Sequence, residues 1–321
     1  MNKIIFRCDA GYKKEIGTGH LVRSITLAKM LIKYEKFQKR NILFIVKTNK
    51  EFLISKKILG RENFSYYSIK NYVKDYSNEE LSEILKLKFK LLIVDRLGKI
   101  NLTFIKKIKE NKKNIICFDD SSKNKFLCDM SFNPLIFDKE YMRKNHFSGY
   151  EYNILPSSLF KKKIKKNKKI KSIFMSFGGF DSKNLMKSTQ KLLKKRHKYN
   201  LMSNLNNMNF KNQKNFFDRM QSSDLVISSG GLTMFDALNF NKFVIAIPQY
   251  QHQIKNIKRL EKKGLVKLLL KKNLKYINNE INKIKNDKQL KLKLKKINHY
   301  NKAQKFKMII KKIKHICEKK N

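Results

Sequence analysis

The sequence predicts an α/β protein built from two successive doubly wound parallel-sheet domains, residues 1–155 and 156–321. Three observations predict it. Short apolar runs alternate with longer stretches of helical period in both halves. A basic stretch with little pattern, "LPSSLFKKKIKKNKKIK", interrupts the alternation around Pro156. In each half an apolar run leads into glycines: Gly17 and Gly19 in the first, Gly178–Gly179 and Gly230–Gly231 in the second. Strands separated by helices imply right-handed βαβ crossovers and a sheet covered on both faces.

Along the first half, "KIIFRCDA" reads as a buried strand, followed by a helix over Gly19–Tyr34 with Leu21, Ile25, Ala28 and Ile32 on one face. "NILFIVKT", "KLLIVDRLG" and "NIICFDDS" are further strands, with a helix over Asn101–Lys112 between the last two and a short strand in "DMSFNPL". After the break, "SIFMSFGG" is a strand, Asn184–Lys195 a helix and "KYNLMSN" a strand. "DLVISSGG" and "KFVIAIP" flank a helix over Thr233–Asn239. Tyr276–Glu318 is lysine-rich with helical spacing, an amphipathic segment that packs on the domains. Ligands of such sheets bind at the carboxyl ends of strands, and two edges facing one another across a central cleft would share one site.

With 321 residues and 41% apolar content, the chain is long enough for two real cores. No apolar run approaches the ~20 residues of a membrane span, and the first residues are too short and too soon acidic for a secretory signal, so a cytoplasmic location is expected. Cys8, Cys117, Cys128 and Cys317 show no metal-ligand spacing, and free thiols are expected. The net charge of +50 goes with abundant asparagine, isoleucine and phenylalanine, a composition expected of an AT-rich genome. No nucleic-acid-binding motif accompanies it, so no specific nucleic-acid partner is expected. The basic surface favours an anionic ligand and permits peripheral membrane contact. No metal and no cofactor are expected, and the oligomeric state is open.

"SSGGLTMFDAL" places a strand, two glycines and a helix start in succession. Bare N–H groups at a positive helix terminus suit a phosphate, with Ser229 and Thr233 adding hydroxyls and Asp236 a carboxylate for ribose hydroxyls. An ordinary glycine turn with Thr233 as a cap is the plain alternative. At the other end of the chain, His20 follows the Gly17–Gly19 turn at a helix start, where the dipole disfavours its protonation and suits a general base. Arg7 and Asp9 end the first strand and orient the loop or substrate; Asp95 also ends a strand and contacts a sugar or positions His20. Asp119 and Asp120 read as cap or turn acids. His146, His197, His299 and His315 read as surface residues.

The stretch Ser229–Gly264 resembles the nucleotide-sugar-binding half of GT-B glycosyltransferases of the peptidoglycan N-acetylglucosaminyltransferase type: glycines, a threonine, an acid, a strand ending in Pro248, then a glutamine-containing loop and helix. The resemblance implies a UDP-sugar ligand, its diphosphate on Ser229, Gly230, Gly231 and Leu232, its ribose on Asp236, with Gly178, Thr233 and Gln253 in the nucleotide site. Asp236 stands where that family has glutamate. "FRCDAGYKKEIGTGHLVRS" in turn resembles the start of the UDP-sugar hydrolase of pseudaminic acid biosynthesis and its spore-coat polysaccharide relatives, through Arg7, Asp9, Ala10, Ile16, Gly17, Gly19, His20 and Arg23. "LLIVDRLG", "CFDDS" and "SFGGFD" are further marks of that family. This resemblance implies water attack at an anomeric carbon with His20 as base and release of UDP, in nonulosonic acid synthesis. Arg7, Asp9, Gly17, Gly19, Asp95 and His252 would line the sugar. Leu97 replaces a tyrosine and His252 an asparagine of the hydrolases. A glycosyltransferase with a UDP-sugar donor is the competing reading.

Overall fold

The computed structural model describes residues 3–11, 17–70, 72–96, 98–135, 143–149, 152–154, 170–178, 181–194, 199–203, 213–286 and 306–318, with backbone alone at 213–215, 252, 272 and 285–286. Ile16, Leu97, Gly179, His197, His299 and the basic stretch after Pro156 lie outside the described residues. The chain divides into two compact units, Met1–Pro156 with Lys305–Asn321, and Ser157–Gln304.

The first unit carries, in chain order, β1 (Ile4–Arg7), α1 (Gly19–Glu35), β2 (Ile42–Lys47), α2 (Leu53–Arg61), β3 (Ser65–Ile69), α3 (Asn78–Leu85), β4 (Leu91–Asp95), α4 (Leu102–Glu110), β5 (Asn114–Phe118), β6 (Met130–Asn133) and β7 (His146–Ser148). Among the described residues the strands form one parallel sheet in the order β3-β2-β1-β4-β5-β6-β7. Successive side chains along a strand point to opposite faces. One face therefore presents Ile5, Ile45, Leu92 and Val94 to Leu81 and Ile84 of α3 and Phe104, Ile105 and Ile108 of α4. Both of these helices begin on side-chain caps: Ser77 accepts from the Glu80 N–H at 3.2 Å and Asn101 from the Phe104 N–H at 2.7 Å. β3 and β7 escaped the sequence reading. β3 is an edge strand, its residues half-exposed or exposed except Ile69, and β7 is three residues long, so neither shows a continuous apolar run.

The second unit carries β8 (Ser172–Ser176), α5 (Leu185–Lys194), β9 (Asn200–Ser203), α6 (Gln213–Ser222), β10 (Leu225–Ser228), α7 (Leu232–Asn239), β11 (Val244–Ala246), α8 (Gln251–Lys262), β12 (Val266–Leu268) and α9 (Ile277–Asn286). Its described strands pair in parallel in the order β12-β11-β10-β8-β9. Ile173, Met175, Ile227 and Ile245 pack against Leu185 and Leu193 of α5 and Ile277, Ile281 and Ile284 of α9.

The C-terminal segment corrects the sequence reading. Among the described residues it carries α9 and α10 (Phe306–Glu318), with the residues between them outside the description. The sequence reading kept the whole segment in the second domain, whereas α10 belongs to the first unit. Ile309, Ile310, Ile313 and Ile316 are buried, Lys314 pairs with Glu35 of α1 at 3.4 Å, and Asn114 of β5 donates to the Ile316 carbonyl at 3.4 Å. An apolar stripe shows that a helix face is covered, not which partner covers it. His146 is a further correction: it is buried rather than on the surface, its Nδ1 2.7 Å from Ser131 Oγ. All four cysteines are buried and none is in a disulfide, and no helix among the described residues is long and apolar enough to cross a membrane.

Strand order reverses between β1 and β4 in the first sheet and between β8 and β10 in the second. At such switch points adjacent connections leave to opposite faces and open a crevice at the carboxyl ends of the strands. Because α10 completes the first unit, Ile313→Ala is expected to destabilise that unit by about 2–5 kcal/mol through an unfilled cavity. Urea unfolding, with hydrogen exchange in α1 losing protection first, measures it.

Candidate functional site

At the first switch point the chain leaves β1, runs through Cys8 to Gly11, and enters α1 at Gly19. The Gly11 N–H donates to the Gly17 carbonyl at 3.0 Å, closing the loop, and Gly17 has φ +53, a conformation glycine adopts without Cβ strain. Thr18 caps α1 without a side-chain hydrogen bond. His20 therefore sits in the first turn of α1, buried to 8% exposure, facing the end of β4.

His20 Nδ1 lies 2.8 Å from Asp95 Oδ1. A carboxylate only accepts, so in the neutral ring this contact puts the proton on Nδ1 and leaves the lone pair on Nε2. Asp95 is held from three sides. Arg23 donates through Nε to Oδ2 at 2.8 Å and through Nη2 to Oδ1, and Ser24 Oγ donates to Oδ2 at 3.1 Å. The other guanidinium arm, Nη1, pairs with Asp119 Oδ2 at 2.6 Å, and the group stacks over Phe118. Burial works to raise the Asp95 carboxyl, but the Arg23 charge and the hydrogen bonds from Arg23 and His20 outweigh it and hold it well below the usual carboxylate range. All three α1 residues lie within four positions of one another, at i, i+3 and i+4, so one helix face delivers the whole arrangement.

Arg7 and Asp9 lie at the same edge on the opposite face. Arg7 is fully buried, donating through Nε to Glu80 Oε1 and through Nη1 to Asp9 Oδ2, both at 2.7 Å. Asp9 Oδ1 accepts the Lys47 N–H at 2.8 Å, and Arg96 forks Glu80 at 2.7 and 2.6 Å. Glu80 also accepts the Tyr76 N–H at 2.6 Å. These residues tie the ends of β1, β2 and β4 to α3; loop orientation is their observed work. Asp120 is a turn acid, accepting from the Ile100 N–H at 2.6 Å and the Ser122 N–H at 2.8 Å.

At the second switch point β10 ends at Ser228, and Ser229–Gly230–Gly231 turns into α7, which starts without a side-chain cap on Gly231. The two glycines differ in kind. A Cβ on Gly230 would stand 2.8 Å from Gln253 Cβ and Ile257 Cδ1, so α8 packs directly on this residue. The sequence reading took Gly230 as bare backbone for a ligand; close helix packing is a second reason for its missing side chain. A Cβ on Gly231 would meet nothing nearer than 3.8 Å, at Gln253 Nε2, and Gly231 and Leu232 are half-exposed. Gln253 Oε1 accepts the Gln249 N–H at 2.9 Å, which holds its amide against the glycine turn. Thr233 is buried and Asp236 half-buried on α7. Gly178, at φ +86, follows β8 at the same edge. His252 lies in the first turn of α8, its side chain outside the description.

Gln249 escaped the sequence reading. Its Nε2 donates to the Phe177 carbonyl at 2.5 Å, while Oε1 accepts the Ser182 N–H at 3.0 Å and its hydroxyl at 3.3 Å. It thereby ties the loop after β8 to the loop after β11. Lys47, Glu80 and Arg96 were missed as well, and Arg23 was noted without a role. Only the polar residue directly after Pro248 was a local signal; the other pairings join residues far apart in sequence.

The fold is that of GT-B glycosyltransferases. The glycotransferase of kitacinnamycin aligns over 98% of this chain and 99% of its own, with TM-score 0.65 and 8% identity. LpCGTa in complex with UDP aligns over 100% of both chains, with TM-score 0.64 and 11% identity. Residues 156–313 match the glycosyltransferase family 28 C-terminal domain. An uncharacterised protein of Methanocaldococcus jannaschii is 32% identical over 278 residues, 75% of this chain; the chain spans about half, 54%, of that relative's length.

Glu80 behaves as Asp95 does: burial would raise its carboxyl, and the Arg96 and Arg7 guanidiniums hold it well below the usual range. Its stabilisation is therefore full above the unfolded value of about 4 and is lost as pH falls through the lowered folded value. Glu80→Gln is expected to cost the first unit about 3–5 kcal/mol near neutral pH, because two buried guanidiniums lose their counter-charge. That deficit is expected to shrink in strong acid, where the native carboxylate is itself protonated, as urea unfolding across pH would record.

Proposed function

We propose that this chain is a nucleotide-sugar enzyme, and specifically a hydrolase that releases UDP from a UDP-2,4-diacetamido-trideoxyhexose in the synthesis of a pseudaminic-type nonulosonic acid. The observation that carries the reading is the buried His20–Asp95 contact of 2.8 Å at the first switch point. It leaves the His20 Nε2 lone pair as a proton acceptor, which water attack at an anomeric carbon requires.

In this mechanism the water oxygen forms a bond to the anomeric carbon as the bond to the diphosphate oxygen breaks. The water proton goes to His20 Nε2, and the bonding electron pair leaves with UDP. Asp95 stabilises the imidazolium that forms, and Arg23 keeps Asp95 ionised for that purpose. Gly17 and Gly19 let the backbone approach the sugar, with His252 a further sugar contact. The N–H groups at Gly231–Leu232 and the hydroxyls of Ser229 and Thr233 take the diphosphate at the α7 terminus, where fixed donors meet developing charge. Asp236 accepts from the ribose, Gln253 presents its amide beside Gly231, and Gly178 borders the nucleotide. The match of the second half to the family 28 C-terminal domain, and the UDP bound by LpCGTa, support the choice of nucleotide. The setting is cytoplasmic, with peripheral membrane contact through the basic surface.

A glycosyltransferase on the same residues is the second reading, favoured by the fold shared with glycosyltransferases. An acceptor hydroxyl would then replace water, with His20 taking its proton. Incubating the protein with the UDP-sugar and no acceptor separates the two. UDP release supports the hydrolase, and release only on adding an acceptor selects the transferase. His20→Ala is expected to lower kcat by about 10²–10⁴-fold with UDP affinity unchanged, since a base acts on the transition state alone. Asp236→Ala is expected to weaken UDP binding by about tenfold or more while leaving binding of ribose-free diphosphate unaffected, as calorimetry would show.

A further inference from the structure

The charge network on the far face from His20 is complete except at one point. Arg7, Lys47 and Arg96 supply three cations at the carboxyl ends of β1, β2 and β4, and Asp9 and Glu80 supply two carboxylates locked by the hydrogen bonds above. Side-chain exposure of these five runs from 0 to 11%. One positive charge is left over. The carboxylate that balances it, Asp75, sits on the loop between β3 and α3 with its side chain 44% exposed.

Asp75 meets the three cations through a single oxygen. Oδ1 lies 2.9 Å from Lys47 Nζ, 3.3 Å from Arg96 Nη1 and 3.6 Å from Arg7 Nη2. Only the Lys47 contact is a hydrogen bond, and Arg7 Nη2 is buried without a hydrogen-bond partner among the described residues. Burial works to raise the Asp75 carboxyl, while Arg96, Arg7 and Lys47 outweigh it and keep it ionised. One carboxylate oxygen offers about two lone-pair sites to the three donors that converge on it, whereas a phosphate can set one oxygen against each. The position is the carboxyl edge beside a strand-order reversal, where ligands of such sheets bind.

We infer that Arg7, Lys47 and Arg96 form a seat for a phosphate-class anion and that Asp75 is an internal stand-in which the ligand displaces. The seat is built wholly from residues of the first unit and does not depend on which nucleotide sugar is used. The phosphate belongs either to a small soluble phosphomonoester or to a lipid headgroup.

Inorganic phosphate, titrated by calorimetry at constant ionic strength, tests the seat. Asp75→Ala is expected to bind phosphate at least about tenfold more tightly than wild type, because the competing carboxylate no longer holds the site. Adding Lys47→Met is expected to reverse the gain. Glu110→Ala removes an equally charged exposed residue and is expected to behave as wild type. No gain in Asp75→Ala, an equal gain in Glu110→Ala, or a gain that survives Lys47→Met overturns the inference. Circular dichroism checks folding, and Asp75→Asn, which keeps a hydrogen-bonding oxygen without the charge, gives the same readings if the alanine variant does not fold. Glycerol phosphate competing with inorganic phosphate in Asp75→Ala assigns a soluble source. Tighter binding of that variant than wild type only to phosphatidylcholine vesicles containing phosphatidic acid assigns a lipid source, and neither result overturns it.

Discussion

Asp95 stays ionised at 2% exposure chiefly because Arg23 lies against it, with His20 adding a further hydrogen bond. That pair fixes the end of β4 to the first turns of α1, and through Arg23 Nη1 it reaches Asp119 beyond the end of β5. The cost of burying charge is severe unless every charge has a partner. The edge of the first sheet meets that requirement twice, on opposite faces, with Asp95 serving α1 and Glu80 serving the guanidiniums of Arg7 and Arg96. The histidine is the one member of the first group with a ring nitrogen left over, and this is what makes the group chemically usable.

The second unit reaches its switch point by different means. Its carboxyl edge is held by amides rather than by charge. Gln249 joins two loops through both ends of its side chain, and Gln253 caps the chain entering α8 while its stem and Ile257 press on Gly230. An edge with little fixed charge, adjoining an uncapped helix terminus, is suited to an anionic ligand that brings its own charge. The α1 face of the first edge, where Arg23 already pairs with Asp95 and Asp119, is suited to proton transfer.

The repeated strand–helix alternation was legible because strands buried on both faces are continuous apolar runs. The helix opening at Gly19, the strand ending at Asp95 and the turn at Gly230–Gly231 were legible from spacing and glycine placement. His20 and Asp95 were both visible as candidates, yet they are 75 residues apart and no local pattern joins them. Edge strands such as β3 were hidden because half-exposed residues blur the period. His146 was misjudged because a lone imidazole carries no sign of the buried Ser131 beside it.

The sequence by itself determined the buried central strands, the parallel topology and the residue types at the strand ends, since these follow from hydrophobic period and local backbone preference. Tertiary structure alone decided which charges meet: that Arg7 is shared by Glu80 and Asp9, that Arg23 is shared by Asp95 and Asp119, and that α10 completes the first unit. Pairing across long separations depends on which strands become neighbours when the chain folds, and that order is not written in any local stretch.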